Sequence, residues 1–234
     1  MKTLGIIGGI SYHSTAVYYS AINQLVNEKL GGHHAAKLLL YSVNYNDFKM
    51  LQSKNDWSGI EAMLSEIALR LESAGAECIL LSCNTAHLIA GDLRKKLKVP
   101  FIHIVEETAH EIAKHNMKKV GLLGTTFTME NPFFADCLAE SGIETILPNT
   151  AARALIHATI LDELSQGYLS AKSKSLFQTV IGDLKARGAE AVVFGCTEIG
   201  MFIEQEDSEL KIMDTTTIHI KSAVDFAISD EAVE

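Results

Sequence analysis

The chain has 234 residues, enough for one large domain or two of about 100–120 residues each. Apolar residues make up 47% and charged residues 21%, so a full core can be buried and a disordered chain is excluded. Twenty Lys and Arg stand against 29 Asp and Glu, a net charge of −9. That balance argues against nucleic acid and anionic membranes as main partners, which need a concentrated basic surface. A small acidic substrate stays open, because a pocket can carry local positive potential inside an acidic protein. No stretch approaches the roughly 18 uninterrupted apolar residues of a membrane span. The opening run Leu4–Gly9 is short and broken by glycine, and no signal-type cleavage site follows it. A cytoplasmic protein with no membrane partner is expected.

In chain order, Leu4–Ile7 reads as a strand and Gly8-Gly9-Ile10-Ser11 as a turn. A helix over Ser14–Leu30 follows, closed by Gly31-Gly32, then a strand over Lys37–Asn44 and a helix over Ile60–Ser73 ending at Gly75. Glu77–Ser82 is the third strand, with a helix from about Asn84 to Leu97 behind it. Pro100–Ile104 reads as a fourth strand leading into a helix over Glu106–His115, and Lys118–Leu123 as a fifth. A helix over Phe133–Ser141, a short strand over Gly142–Leu147, and helices over Leu155–Leu164 and Ser173–Arg187 come next. Ala191–Phe194 and Leu210–Met213 are strands, and Thr216–Ile228 is the last helix. Strands alternating with helices of 10–15 residues predict βαβ units and mostly parallel sheets.

The chain also repeats itself. Gly75-Ala76-Glu77-Cys78-Ile79-Leu80-Leu81-Ser82-Cys83-Asn84-Thr85 parallels Gly188-Ala189-Glu190-Ala191-Val192-Val193-Phe194-Gly195-Cys196-Thr197-Glu198. One spacing, 113 residues, separates Gly75 from Gly188 and Cys83 from Cys196. Leu4–Gly9 likewise echoes Val120–Thr125. A period of about half the chain predicts two similar α/β halves, placed at residues 1–99 with 211–234, and at 100–210.

The four cysteines, Cys78, Cys83, Cys137 and Cys196, form no CxxC pair and no zinc-type spacing, and are too sparse for a disulfide scaffold. A single cysteine at a strand end is ordinarily a small buried hydrophobe, and Cys78 and Cys137 read that way. Cys83 and Cys196 differ in sharing one position of the repeat, at the carboxyl end of a buried strand, where open parallel sheets bind ligands. A helix starting near Asn84 would aim its N-terminus at Cys83, lowering the thiol pKa and suiting a carboxylate ligand. If the halves face each other, the two sulfurs meet across one cleft, the arrangement a two-base proton transfer needs. The pattern alone leaves both readings of these two residues open.

The chain resembles the aspartate/glutamate racemase family of cofactor-independent amino-acid racemases. The resemblance runs over essentially the whole chain. It is carried by Gly5-Ile6-Ile7-Gly8-Gly9-Ile10-Ser11 with Ser14-Thr15 and Tyr18-Tyr19, by Gly31-Gly32-His33-His34-Ala35-Ala36 and by Ser82-Cys83-Asn84-Thr85-Ala86-His87. Gly121-Leu122-Leu123-Gly124-Thr125 with Thr128-Met129-Glu130, Gly195-Cys196-Thr197-Glu198-Ile199-Gly200, and Asp214-Thr215-Thr216 with His219 complete it. It implies two pseudo-symmetric, Rossmann-like α/β domains with parallel sheets and an interdomain active-site cleft, a homodimer, no cofactor, and catalytic cysteines matching Cys83 and Cys196. Ile10, Gln52, Asn84, Thr85, Thr128 and Thr197 match positions that line the family's substrate pocket. The family's Met-Ser-Trp-Glu is Ile10-Ser11-Tyr12-His13 here, its Gly-Thr-Arg variant is Gly124-Thr125-Thr126, and a frequent lysine is replaced by Ser170. The group that binds a side-chain carboxylate, and the choice of amino acid, are thereby left open, with Lys172 and Lys174 as further candidates.

The implied reaction is difficult, because an α-proton beside an ammonium and a carboxylate is very weakly acidic. Backbone amides around Gly9-Ile10-Ser11, with Asn84, Thr85 and Thr197, could clamp the α-carboxylate and tighten as charge develops. Rival readings are a cysteine-dependent isomerase of maleate type, a single-cysteine decarboxylase of malonates, and a non-catalytic small-ligand-binding protein. The nine histidines form no ligand-spaced set, so no metal is expected. Gly8-Gly9 lacks the spacing and acidic partner of a dinucleotide site. The acidic run Glu204–Glu209 reads as a solvated loop.

Overall fold

The structure, a computed structural model, describes residues 1–231. The chain divides into two compact units: Met1–Ile104 together with the segment from His219 onward, and Val105–Ile218.

The first unit is built from β1 (Leu4–Gly8), α1 (Tyr12–Leu30), β2 (Leu38–Ser42), α2 (Tyr45–Ser53), α3 (Trp57–Ser73), β3 (Cys78–Leu81), a 3₁₀ turn over Thr85–Ile89 and α4 (Ala90–Lys96). Its sheet is parallel in the order β2-β1-β3, with Gly5 opposite both Leu39 and Ile79. The strand period of two sorts the core. Leu4, Ile6, Cys78 and Leu80 face one buried cluster with Tyr18, Ile22 and Val26 of α1, and Ile7, Ile79 and Leu81 face another with Ile60, Leu64 and Ile67 of α3. Covering both faces is why β1 and β3 are apolar throughout. The first cluster also takes Ile220, Ala223, Val224 and Ala227 from α10 (Thr215–Ala227).

The second unit follows α5 (Ile104–Lys114) with β4 (Lys119–Leu123), α6 (Thr126–Glu130), α7 (Pro132–Glu140), β5 (Glu144–Ile146), α8 (Thr150–Asp162), α9 (Ala171–Ala186), β6 (Ala191–Phe194) and β7 (Lys211–Asp214). Its sheet is parallel in the order β5-β4-β6-β7. Gly121 lets α9 approach closely: a Cβ there would lie 2.6 Å from Leu184 Cδ1.

Helix ends follow the side chains at hand. Ser11, Asp56, Asn149 and Ser170 accept N-terminal amides of α1, α3, α8 and α9. Gly75 and Gly188 end α3 and α9 with φ of +100° and +92°. The repeat is visible in the hydrogen bonds. Glu77 and Glu190 each donate their own N–H to the strand ahead (Thr3 and Lys119 carbonyls, both 2.8 Å). Their carboxylates in turn accept from Thr3 N (2.6 Å) and Lys119 N (3.0 Å).

Three readings of the sequence are corrected. Pro100–Ile104 is not a strand but a single bridge from Phe101 to Ile79, because Pro100 has no N–H and α5 begins at Ile104. The helix expected from Asn84 is a 3₁₀ turn that becomes α-helical only at Ala90, so no long helix points its N-terminus at Cys83. The boundaries between the units fall at 104/105 and 218/219 rather than at 99/100 and 210/211. Phe101 bridges β3, which keeps residues 100–104 with the first unit, and β7 pairs with β6, which keeps 211–214 with the second. Among the described residues no helix is long and apolar enough to cross a membrane.

Gly9 and Gly75 both have positive φ, yet a Cβ at Gly9 would lie 2.1 Å from the Val43 carbonyl oxygen, while one at Gly75 meets nothing within 4 Å. Gly75→Ala carries the conformational penalty alone, roughly 1–2 kcal/mol, or about 2–8 °C in Tm for a chain of this size. Gly9→Ala must also move backbone, and its drop in Tm by scanning calorimetry is expected to be at least twice as large.

Candidate active site

In the first unit the turns after β1 and β3 are sewn together. The Ser82 amide donates to the Ile7 carbonyl (3.0 Å), and Ser14 Oγ donates to the Ser82 carbonyl (2.9 Å). Thr15 Oγ1 accepts from the Gly9 amide (2.8 Å) and donates to the Ser11 carbonyl (2.9 Å). This brings Ile10, which is buried, to the same sheet end as Cys83, Asn84 and Thr85. Cys83 and Thr85 are half-buried and Asn84 is buried. Gln52 lies half-buried on α2, where its carbonyl oxygen takes a long hydrogen bond from Lys49 Nζ (3.5 Å).

Behind Cys83 sits a group of rings, of which Tyr18, His87 and His219 are buried and His103 half-buried. His87, on the 3₁₀ turn, donates from Nδ1 to the Cys83 carbonyl (2.8 Å). Its ring meets His103 edge-on (centroids 4.8 Å) and His219 (5.7 Å). His219 Nε2 donates to the Ile102 carbonyl (2.9 Å), so its Nδ1 accepts from the Tyr18 hydroxyl (2.8 Å). Burial holds both rings neutral. It is the largest cause that pushes His87 well below the usual imidazole range and His219 down to about 4. With Nδ1 donating, the neutral His87 ring leaves Nε2 as a buried acceptor with no hydrogen-bond partner among the described residues.

In the second unit Gly195 N donates to the Leu123 carbonyl (2.7 Å), the counterpart of the Ser82–Ile7 bond. Thr215 Oγ1 donates to the Phe194 carbonyl (2.8 Å). Thr128 is buried beneath this turn: a Cβ at Gly195 would meet its Cγ2 at 2.9 Å, and its hydroxyl pairs with Thr125 Oγ1 (3.2 Å). Cys196 is half-buried and Thr197 buried. Both donate to one carboxylate oxygen of Glu198, Cys196 Sγ at 2.9 Å and Thr197 Oγ1 at 2.7 Å. Asp214, behind the same loop, is raised above the usual carboxylate range by burial, against the pull of bonds from Thr217 and Thr216. A Cβ at Gly200 would sit 2.9 Å from its Cγ.

Ser170 caps α9 and donates its hydroxyl to Glu163 (3.2 Å), while Lys174 pairs with Asp207 (2.8 Å). Cys78 is fully buried, and burial pushes its thiol up to about 12, which leaves it inert. The four cysteines are all without disulfides. Reading the sequence did not assign Glu198 and His87, although both lie inside quoted motifs. The signal was their spacing, two residues after Cys196 and four after Cys83.

Residues 7–223 match the Asp/Glu/hydantoin racemase family. A crystal structure of a proposed Asp/Glu racemase from Yersinia pestis is 41% identical, with a TM-score of 0.94 over 97% of this chain and 100% of that one. An aspartate racemase homologue from Pyrococcus horikoshii OT3 is 34% identical, with a TM-score of 0.88 over 97% and 99%. The broad specificity amino-acid racemase RacX of Bacillus subtilis is 26% identical over 94% of this chain and 96% of its own. The chain belongs to the Asp/Glu/hydantoin racemase family. Within it the chain is an amino-acid racemase, and so an isomerase.

The ring group has a pH signature. Below about 6.5 the unfolded chain protonates His87 and His219 while the folded chain does not, so stability falls as pH drops from 6.5 toward the folded value near 4 for His219. The loss from His219 alone is on the order of 3 kcal/mol over that window. In an NMR titration from pH 7.5 to 5, the ring resonances of His87 and His219 are expected not to move; titration of either with a midpoint near 6.5 would contradict the assignment.

Proposed function

We propose that the protein racemises aspartate, glutamate or both by exchanging the α-proton between two sulfurs, with Cys83 and Cys196 as the acid–base pair and no bound cofactor. The observation that carries the reading is the repeat. A half-buried cysteine stands at the same point of each unit, directly after the strand that pairs with the first strand of its sheet, while Cys78 is sealed in a core. The names of the relatives support an acidic amino acid as substrate.

In this reading a thiolate takes the α-proton, and the other cysteine, as thiol, supplies a proton to the opposite face of Cα. The bond from Cα to the first hydrogen breaks as the first S–H forms, and the bond to the second hydrogen forms as the second S–H breaks. One negative charge is passed from sulfur to Cα to sulfur. The amides of Ile10 and Ser11, with Asn84, Thr85 and the backbone amide of Thr197, hold the α-carboxylate, since the Gly9 amide and the Thr197 hydroxyl already donate to Thr15 and Glu198, and Gln52 and Thr128 complete the proposed set. Donors fixed by the hydrogen bonds around Thr15 and Ser82 need no reorganisation when charge builds on the substrate. Ser170 is committed to Glu163, so the substrate's side-chain carboxylate is held elsewhere. The working form is taken to be a cytoplasmic homodimer.

Cys83→Ala and Cys196→Ala should each lower racemisation of aspartate and glutamate by at least about 10²–10⁴-fold, the usual worth of one proton-transfer group. Chiral chromatography reads the rate, and proton NMR in D₂O reads loss of the α-hydrogen. Racemisation at the unsubstituted rate in either variant would end the two-sulfur reading. Turnover of neither amino acid by the unsubstituted protein would end the substrate assignment.

A further inference from the structure

The two cysteines are matched in position but not in electrostatic surroundings. Cys196 Sγ and Thr197 Oγ1 both donate to Glu198 Oε2, at 2.9 and 2.7 Å. An ionised carboxylate only accepts, so a sulfur this close to one shares the contact as a thiol. The geometry points to Glu198 as the positioning residue that keeps Cys196 in the thiol form, and so makes it the resting acid of the pair.

The opposite role, Glu198 as a base that strips the thiol, fails on magnitude. An ordinary carboxyl group is about four pKa units more acidic than an ordinary thiol, so moving the proton from sulfur to carboxylate is disfavoured by roughly 10⁴. A carboxylate in contact with a thiol also opposes thiolate formation by like-charge repulsion. The Thr197 hydroxyl fixes the same carboxylate oxygen, so the acceptor is held in place before any substrate arrives. At Cys83 the backbone carbonyl is held by the neutral His87 ring, four residues on.

The assignment of acid and base rests on the two-sulfur reading above. In the resting form Cys83 is then the thiolate. It takes the α-proton of the enantiomer whose hydrogen faces it and becomes a thiol. Cα takes the proton of Cys196, which becomes a thiolate beside Glu198. Repulsion from Glu198 then favours return of one proton from solvent to Cys196 as Cys83 gives one up, which restores the starting form with no net gain or loss.

Alkylation by iodoacetamide tests this without substrate, because it reports the thiolate of each cysteine. The unsubstituted protein and Glu198→Gln are alkylated between pH 5.5 and 9.5, and each cysteine is quantified by peptide mass spectrometry. In the unsubstituted protein the midpoint for Cys196 is expected above that for Cys83. In Glu198→Gln the Cys196 midpoint should fall by about one pH unit, a roughly tenfold gain in rate near pH 7.5, with the Cys83 midpoint unmoved; Glu198→Asp should keep the higher midpoint. An unchanged or raised Cys196 midpoint in Glu198→Gln overturns the proposal. So does a Cys196 midpoint below that of Cys83 in the unsubstituted protein, a result that stands even if Glu198→Gln does not fold. A protein that gives the expected midpoints but does not racemise would retire the proposed reaction and leave the role of Glu198 intact.

Discussion

A threonine seated against a glycine at the end of a central strand sets the geometry of each unit. Thr15 fills the space that a side chain at Gly8 would need, with its Cγ2 2.5 Å from where that Cβ would be. Thr128, 113 residues later, does the same for Gly195 at 2.9 Å and Gly124 at 3.2 Å. In both units this lets a helix start directly against the strand end and locks the cysteine-bearing turn to its neighbour. The hydroxyl does the rest: Thr15 satisfies the Gly9 amide, and Thr128 pairs with the Thr125 cap. A larger residue at any of the three glycines, or a residue without the methyl or hydroxyl at either threonine, would loosen the same turn.

Much of the scaffold was legible because apolar period and punctuation agree. β6 matches its expected span, and α1 and α3 differ only in starting two or three residues earlier, at caps whose side chains face their own amides. The missed elements are short and weakly patterned. α2 buries only Phe48 on a nine-residue helix, and α6 is five residues long, so neither gives an apolar face long enough to show a period. Pro100–Ile104 had the composition of a strand but lost it to the helix that begins at its last residue. A local pattern cannot show that a neighbouring element claims the same residues.

The site was legible in part for a related reason. The repeat marks Cys83 and Cys196 as the candidates, since spacing survives in sequence. It did not reveal that Ser170 would be spent on Glu163, that Thr128 would be buried, or that His87 would meet His219, itself bonded to Tyr18. The ring contacts depend on residues far apart in the chain, such as the 201 positions between Tyr18 and His219, and the Ser170 bond on how the loop after α8 folds back.

A duplicated scaffold supplies the same place twice, and the proposed reaction, which removes and returns a proton at one carbon, needs one group protonated and the other not. Identical surroundings would give both sulfurs the same proton affinity and leave the choice of acid and base to chance. The departure from symmetry lies within four residues of each sulfur: a neutral imidazole tied to the backbone of Cys83, and a carboxylate receiving the side chain of Cys196. Neither difference disturbs the strands, the capping residues or the seated threonines. On the proposed reading the fold stays symmetric while the chemistry does not, because packing is decided by the buried faces and proton affinity by the polar groups beyond the strand ends.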